Sequence, residues 1–216
     1  MAQLPDRSAT AFDLLDYRRR TAQLYAVARD VALPDAERCR RFRAGKDRLF
    51  REHPASPLDA AQRATFDGLP YAPFDAAWRT VARVDADVPP ASFEVNVGDD
   101  GVVTLQRAAY LRFELAGSER RLTAFWLAGY GGGLFVPFRD GSNDAGGGRG
   151  SYGGGRYLLD TIKHADLGSE DGGLVLDFNY AYAPSCAHAP RWVCPLAPPE
   201  NALDVVIDAG ERATDG

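Results

Sequence analysis

The sequence predicts an α+β protein that is mainly β, an antiparallel sandwich or barrel-like domain led by two N-terminal helices. Three observations point there. Short runs rich in β-branched and aromatic residues recur from Trp78 to Asp208, divided by Gly, Pro and Asp turns, the pattern of strands joined by tight connections. No long helical pattern alternates with them, which argues against a parallel βαβ sheet. Apolar residues near helical spacing come ahead of the strands, before His53.

The first helix is expected from Thr10 to about Val31, with Phe12, Leu15, Leu24, Tyr25, Val27 and Ala28 as its apolar positions and Thr10 as N-cap. Pro34 stops it. Asp35 is placed to cap a second helix running to Glu52, with Cys39, Phe42, Leu49 and Phe50 on one side. His53-Pro54 ends that helix, because a residue before proline leaves the α region. A turn-rich bridge, Pro54 to Pro73, leads to the strands. These are expected at Trp78–Val84, Ser92–Val97, Val102–Gln106, Tyr110–Leu115, Arg121–Leu127, Leu134–Arg139, Gly155–Asp160, Leu174–Tyr180 and Leu203–Asp208. Asp99-Asp100-Gly101 and Ala116-Gly117-Ser118 are the clearest hairpin turns. The organisation expected is a helical arm over residues 1–53, a β domain over 54–212 and a tail over 213–216.

Composition narrows the partners. The chain has 216 residues, 45% hydrophobic, with net charge −5. Lys46 and Lys163 are the only lysines among 25 basic residues. An acidic chain without a basic stripe argues against nucleic acid. The one basic cluster, Arg38 to Arg48, shares its turns with Glu37, Asp47 and Glu52 and reads as a solvated helix face. No apolar run approaches the roughly 18 residues of a membrane-spanning helix, so no membrane partner is expected. The N-terminus has no basic patch followed by an apolar block, so a cytoplasmic location with reduced thiols is expected.

Asp177 to Asn201 holds the densest chemistry: two cysteines, His188, Glu200, Asn201 and five prolines. Prolines fix φ, and an ordered loop of this length is often functional. Strand alternation puts Leu174, Leu176, Phe178 and Tyr180 on one face and Asp177 and Asn179 on the other. It likewise sets Arg156 beside Leu158 and Asp160, opposite Tyr157 and Leu159.

The chain resembles the bacterial and archaeal family catalogued as domain of unknown function 1684. The matching pieces are Lys46-Asp47 with Phe50, Pro54-Ala-Ser-Pro57-Leu58, Phe66-Asp-Gly68-Leu69-Pro-Tyr71 and Leu134-Phe-Val-Pro137-Phe138-Arg-Asp140. Tyr152-Gly-Gly-Gly-Arg156-Tyr157, the Asp177–Asn201 stretch and Ala209-Gly210-Glu211 follow in the same order. The resemblance implies that these segments form one domain and brings no activity, ligand or catalytic residue. Two positions depart from the pattern. Tyr182-Ala183-Pro184 stands where Tyr-Asn-Pro is expected, and His188 where an aromatic residue, typically tyrosine, is expected. The second argues against His188 as an essential catalyst. The loop Gly141–Ser151 is longer and richer in glycine than the pattern.

The leading expectation is a small-molecule-binding domain whose ligand carries an anionic group. Arg139 and Arg156 would hold that group, with Asp140 nearby; Asp177 and Asn179 would orient it. Tyr152, Tyr182, Cys186, Glu200 and Asn201 would build the wall. The alternative is a structural or interaction module in which Arg156 pairs internally and Asn179 and Asn201 bond loop carbonyls. A third reading is an enzyme using Cys186, or zinc on Cys186, His188 and Cys194. Their C-x-H-x5-C spacing lacks the paired short spacings of zinc sites, so no metal or cofactor is assigned. Cys186 and Cys194 are expected reduced and structural, as small buried hydrophobes with raised pKa values, the alternative being a labile disulfide or redox pair. The glycine clusters match no phosphate-binding loop, and with three histidines and no G-x-S-x-G elbow a serine triad is not expected. No reaction and no oligomeric state follow from the sequence.

Overall fold

The structure, a computed structural model, describes residues 10–98, 101–129, 131–143 and 150–213. Helix α1 spans Ala11–Ala28 and α2 spans Asp35–Glu52. Thr10 caps α1 in a reciprocal pair with Asp13, which satisfies two otherwise orphaned donors. Phe12 is 80% exposed, so the first turn of α1 overhangs the packed part, and the helix is buried only through Tyr25 and Ala28. Pro34, and not Asp35, is the N-cap of α2. Asp35 is the first helical residue and pairs with Arg38 instead. The two helices approach closely at Gly45, where a Cβ would run into the Leu24 side chain. A short helix, α3 (Ala60–Thr65), follows with an Asp59–Gln62 capping box; it was not expected from the sequence.

Among the described residues there are eight strands: β1 (Arg79–Asp85), β2 (Ser92–Asn96), β3 (Val102–Leu115), β4 (Ser118–Leu127), β5 (Gly133–Phe138), β6 (Arg156–Asp160), β7 (Ser169–Glu170) and β8 (Gly173–Asp177). They form one antiparallel sheet in the order β6-β5-β4-β3-β1-β8-β7, curled into a half-barrel, with β2 also paired to β3. Two expected strands, Val102–Gln106 and Tyr110–Leu115, are one 14-residue strand with a bulge between Arg107 and Ala109. The bulge twists β3 locally, and its edge serves β2 on one side of the bulge and β1 on the other. Asp99 and Asp100 of the first expected hairpin lie outside the described residues. The second is present: Leu115 faces Ser118 across Ala116 and Gly117, whose φ angles are 51° and 74°. Two positive φ angles define the turn whose twist suits a hairpin.

Two expected strands are corrected. Leu174–Tyr180 stops at Asp177, because its carboxylate accepts the Asn179 N–H and turns Phe178–Tyr180 into a 3-10 turn. Local side-chain bonding of this kind competes with strand ladders. Leu203–Asp208 forms no strand. It runs beside the end of β5, bonding Arg139 and Gly141 by single backbone contacts, and the segment through Ala209 drops Leu203, Ile207 and Ala209 into the core. Phe113, Leu122, Val136, Phe138, Leu176 and Phe178 complete that core. The helical arm docks through a second cluster, in which Tyr25 and Phe42 meet Ala165 and Tyr180.

Ala116 gives a direct test of the turn. An L-alanine in the left-handed region is strained, and asparagine tolerates that region better. Ala116→Asn is expected to raise unfolding stability by about 0.5–1 kcal/mol, read by urea denaturation at an unchanged slope. A loss of stability would mean that the turn is formed differently.

Candidate functional site

The residues expected to form a site fall into separate places. Arg156 is 1% exposed and bonds the Asp140 carboxylate at 2.7 Å. The same guanidinium donates to the backbone carbonyls of Ile207, Ala209 and Glu211. It thus knots β6 to the C-terminal segment. Strands β6 and β8 are not neighbours in the sheet order, and neither Asp177 nor Asn179 is among the hydrogen-bond partners of Arg156. Asn179 instead exchanges two hydrogen bonds with the Asp75 backbone, at 2.8 and 3.1 Å. Burial pushes the Asp177 carboxyl above its ordinary range. Asn201, fully buried, bonds the Thr123 N–H and C=O and the Pro137 C=O. Glu200 pairs with Arg107 at 2.8 Å. Arg139 is exposed. The Tyr152 hydroxyl lies 3.7 Å from the Cys186 sulfur. These contacts have the form of internal struts.

Tyr182 goes elsewhere. It lines a partly open cavity of about 240 Å³ between the helical arm and the loop that follows the sheet. One wall is α1, through Leu14, Tyr17 and Thr21; another is α2, through Lys46, Leu49 and Phe50. The third is the loop, through Tyr182, Ser185, His188 and Trp192. The loop is pinned from outside: Trp192 Nε1 and Arg191 Nη2 donate to the Pro57 carbonyl at 2.9 and 3.0 Å, and Gln62 Nε2 donates to the His188 carbonyl at 2.8 Å. His53 holds α1 in place. Its Nδ1 accepts the Ala55 N–H, so its Nε2 donates to Asp16, 3.2 Å away.

Behind the cavity lies a buried ion pair. Lys46 Nζ bonds the Glu211 carboxylate, with side chains 12% and 2% exposed, and the other carboxylate oxygen accepts the Ala183 N–H at 2.9 Å. The ammonium sits 4.6 Å from the centre of the Tyr182 ring, a cation–π contact. Gly210, at φ 72°, brings Glu211 there; a Cβ would lie 2.6 Å from the Phe178 and Ala181 carbonyl oxygens. Burial first, and the Glu211 charge second, push the phenols of Tyr17, Tyr25 and Tyr71 above their usual range. Tyr182 Oη and His188 Nε2 are shielded from solvent and have no hydrogen-bond partner among the described residues. Sequence reasoning missed Lys46 and Glu211 as site residues. Both stand in segments that carry the family resemblance, and Lys46 is one of only two lysines.

His188 is a half-buried ring packed edge-on against Phe50, with ring centres 5.2 Å apart. That contact explains why an aromatic residue suits the position. Among the described residues, no three His, Cys, Asp or Glu side chains come together in a set that could hold a metal ion. No helix there is long and apolar enough to cross a membrane. The basic cluster of α2 is spent within the chain: Arg40 and Arg41 on Glu37, Arg43 on the Ala72 and Asn179 carbonyls. The cysteine expectation is corrected at one residue. The Cys186 thiol is lowered to about 6, chiefly by hydrogen bonding from Cys194, while Cys194 and Cys39 are raised.

The molecule is thus a curled antiparallel half-barrel with a helical arm and a cavity at their junction. Its residues 64–212 match the family model described as protein of unknown function (DUF1684), and the chain belongs to that family. It is similar to an uncharacterised protein of Haloarcula marismortui with a solution NMR structure. The two share 39% identity over 82% of this chain and 92% of that one, with a TM-score of 0.58. No curated protein matches.

Two measurements test this electrostatic frame. Glu211→Gln leaves the Lys46 charge buried and unpaired and is expected to cost about 3–5 kcal/mol, whereas the double variant with Lys46→Met recovers much of that loss. Equal losses in single and double variants would show that the pair is not coupled. Burial lowers the His188 pKa below its ordinary 6.5. The unfolded chain then binds the proton first, so stability held above pH 6.5 falls as the pH drops. His188→Tyr is expected to keep the packing and flatten the stability profile between pH 7.5 and 5; an unchanged profile would contradict this.

Proposed function

We propose that this protein binds a small, mainly apolar molecule in the cavity between the helical arm and the Tyr182–Trp192 loop. The supporting observation is the cavity itself, walled by apolar and aromatic side chains with a few polar groups converging on it, the usual composition of a ligand site. Its size suits a compact ligand. Arg18, Lys46 and Lys163 line it and, among the described residues, no Asp or Glu does, which favours an acidic head group. Lys46 is already balanced by Glu211, and Lys163 pairs with Asp160 at 3.3 Å, so the head belongs nearest Arg18.

Unsatisfied polar atoms in this wall strengthen the reading. A buried group without its hydrogen bond costs about 1–3 kcal/mol. A ligand that engages Tyr182 Oη or His188 Nε2 after a small side-chain rotation would offset that cost. In this reading Tyr182 is the one contact shared with the site expected from the sequence. Arg156, Asp140, Asp177, Asn179 and Asn201 then serve the site by fixing the segments that build it.

The test uses 1-anilinonaphthalene-8-sulfonate, which joins an aromatic body to an acidic group. Saturable fluorescence with one site per chain is expected. Thr21→Trp fills the cavity from the α1 wall and is expected to weaken the probe at least about tenfold, with melting temperature little changed because Thr21 is only half-buried. Unchanged probe affinity in a folded Thr21→Trp variant would overturn the proposal.

A further inference from the structure

The polar groups of the cavity fall into two chemically different sets. Arg18 lines it from the solvent side. It is exposed and, among the described residues, has neither an ion pair nor a hydrogen bond. The inner set gathers around Lys46, whose ammonium lies 4.6 Å from the centre of the Tyr182 ring and 5.4 Å from that of Phe50. His188 packs on Phe50 in turn, so Tyr182 and His188 belong to one cluster of rings in the cavity wall. Each of these two carries a solvent-shielded atom with no partner among the described residues, Tyr182 Oη and His188 Nε2.

What those two atoms can bond limits the ligand. Burial first, and the Asp160 charge second, push the Tyr182 phenol well above its usual range, so it keeps its proton. Burial lowers the His188 pKa below 6.5, so the ring is neutral at pH 7 and Nε2 donates or accepts according to its tautomer. An ammonium brought there meets Lys46 and a carboxylate meets Glu211, whose charges already balance one another. A carbonyl only accepts. A hydroxyl both donates and accepts, so it can serve Tyr182 Oη and either tautomer of His188. Tyr17, Phe42, Phe50 and Trp192 add further rings to the wall, and a flat aromatic body packs edge-on or offset against such rings.

We propose, on the reading that this cavity binds a small acid, that its ligand is a hydroxyaryl carboxylic acid, with the carboxylate toward Arg18 and the hydroxyl toward Tyr182 Oη and His188 Nε2. Selectivity then comes from the inner set. A wall built to hydrogen-bond a hydroxyl rejects the analogue lacking it, because its own polar atoms are left unpaired. Arg18, in contact with water, adds affinity for any acid of this shape and little discrimination.

The probes are trans-4-hydroxycinnamate and cinnamate, which differ only by the para hydroxyl, with 1-anilinonaphthalene-8-sulfonate as reporter of the cavity. Calorimetry at pH 7.5 is expected to give one site per chain for 4-hydroxycinnamate, displacement of the reporter, and at least about tenfold weaker binding of cinnamate. Tyr182→Phe and His188→Phe are each expected to cut that preference to less than about threefold. Tyr182→Phe keeps the ring and removes only the unpartnered oxygen, so its fold is expected to hold. Arg18→Gln should weaken both acids by the same factor and keep the preference. Equal binding of the two acids, or no binding of 4-hydroxycinnamate where the reporter still binds, overturns the hydroxyaryl class and leaves the small-molecule site. A preference that survives in both Tyr182→Phe and His188→Phe overturns it as well. Failure of the reporter itself to bind overturns the site and the class together.

Discussion

The buried pair of Lys46 and Glu211 is the constraint around which the rest of the molecule is arranged. A carboxylate with 2% of its side chain exposed loses several kcal/mol of hydration, and its position is tolerable only where charge and hydrogen bonds replace water. Lys46 supplies the charge from α2, and the Ala183 N–H supplies the second bond from the loop. One side chain thus joins three segments remote in sequence: the arm, the loop and the C-terminus. Arg156 does the complementary work. Its fork holds Asp140 and the carbonyls of the same C-terminal segment, so the segment delivering Glu211 is itself fixed to the sheet. Gly210 between them allows the backbone to pass the Phe178 and Ala181 carbonyls.

The parts of the fold that were legible in the sequence are those governed by local chemistry. Thr10 capping α1, Pro54 ending α2 and Ala116-Gly117 turning β3 into β4 each depend on a few neighbouring residues. The expectations that failed are those in which a local pattern met a competing bond. Alternation continues through Leu174–Tyr180, yet Asp177 captures the Asn179 N–H and the strand ends there. Leu203–Asp208 has apolar residues enough for a strand, but the sheet offers it only isolated carbonyl and amide partners at Arg139 and Gly141. Hydrophobic pattern reports burial, and burial alone does not distinguish a strand from an irregular segment crossing a core.

The candidate site shows the same division. An arginine and several carboxylates in a sequence can be read as an anion fork or as a strut, and the difference is whether water reaches the guanidinium. Arg156 has its charge met from within the chain. Lys46 and Glu211 are 165 positions apart, so no spacing rule connects them. What the sequence did contain was the loop: Tyr182, His188 and Trp192 were in the stretch singled out by its prolines, thiols and rings. The loop was legible as one wall; the opposite wall was not, because it depends on how α1 and α2 lie against the sheet.

That opposite wall has a thermodynamic consequence. The residues matched by the family model begin at 64, while Leu14, Thr21, Lys46 and Leu49 of the cavity come from the helices before it. The cavity therefore exists only while the arm is docked through Tyr25, Phe42 and the Lys46–Glu211 pair. A molecule that binds the docked form alone stabilises docking by mass action, about 2.7 kcal/mol at a free concentration one hundred times its Kd. The converse holds with equal force, since anything that loosens the ion pair lowers apparent affinity by the fraction of arm undocked. For a ligand bound as proposed, occupancy and arm docking would be one equilibrium, with Glu211 joined to the arm through Lys46 and to the loop through the Ala183 N–H.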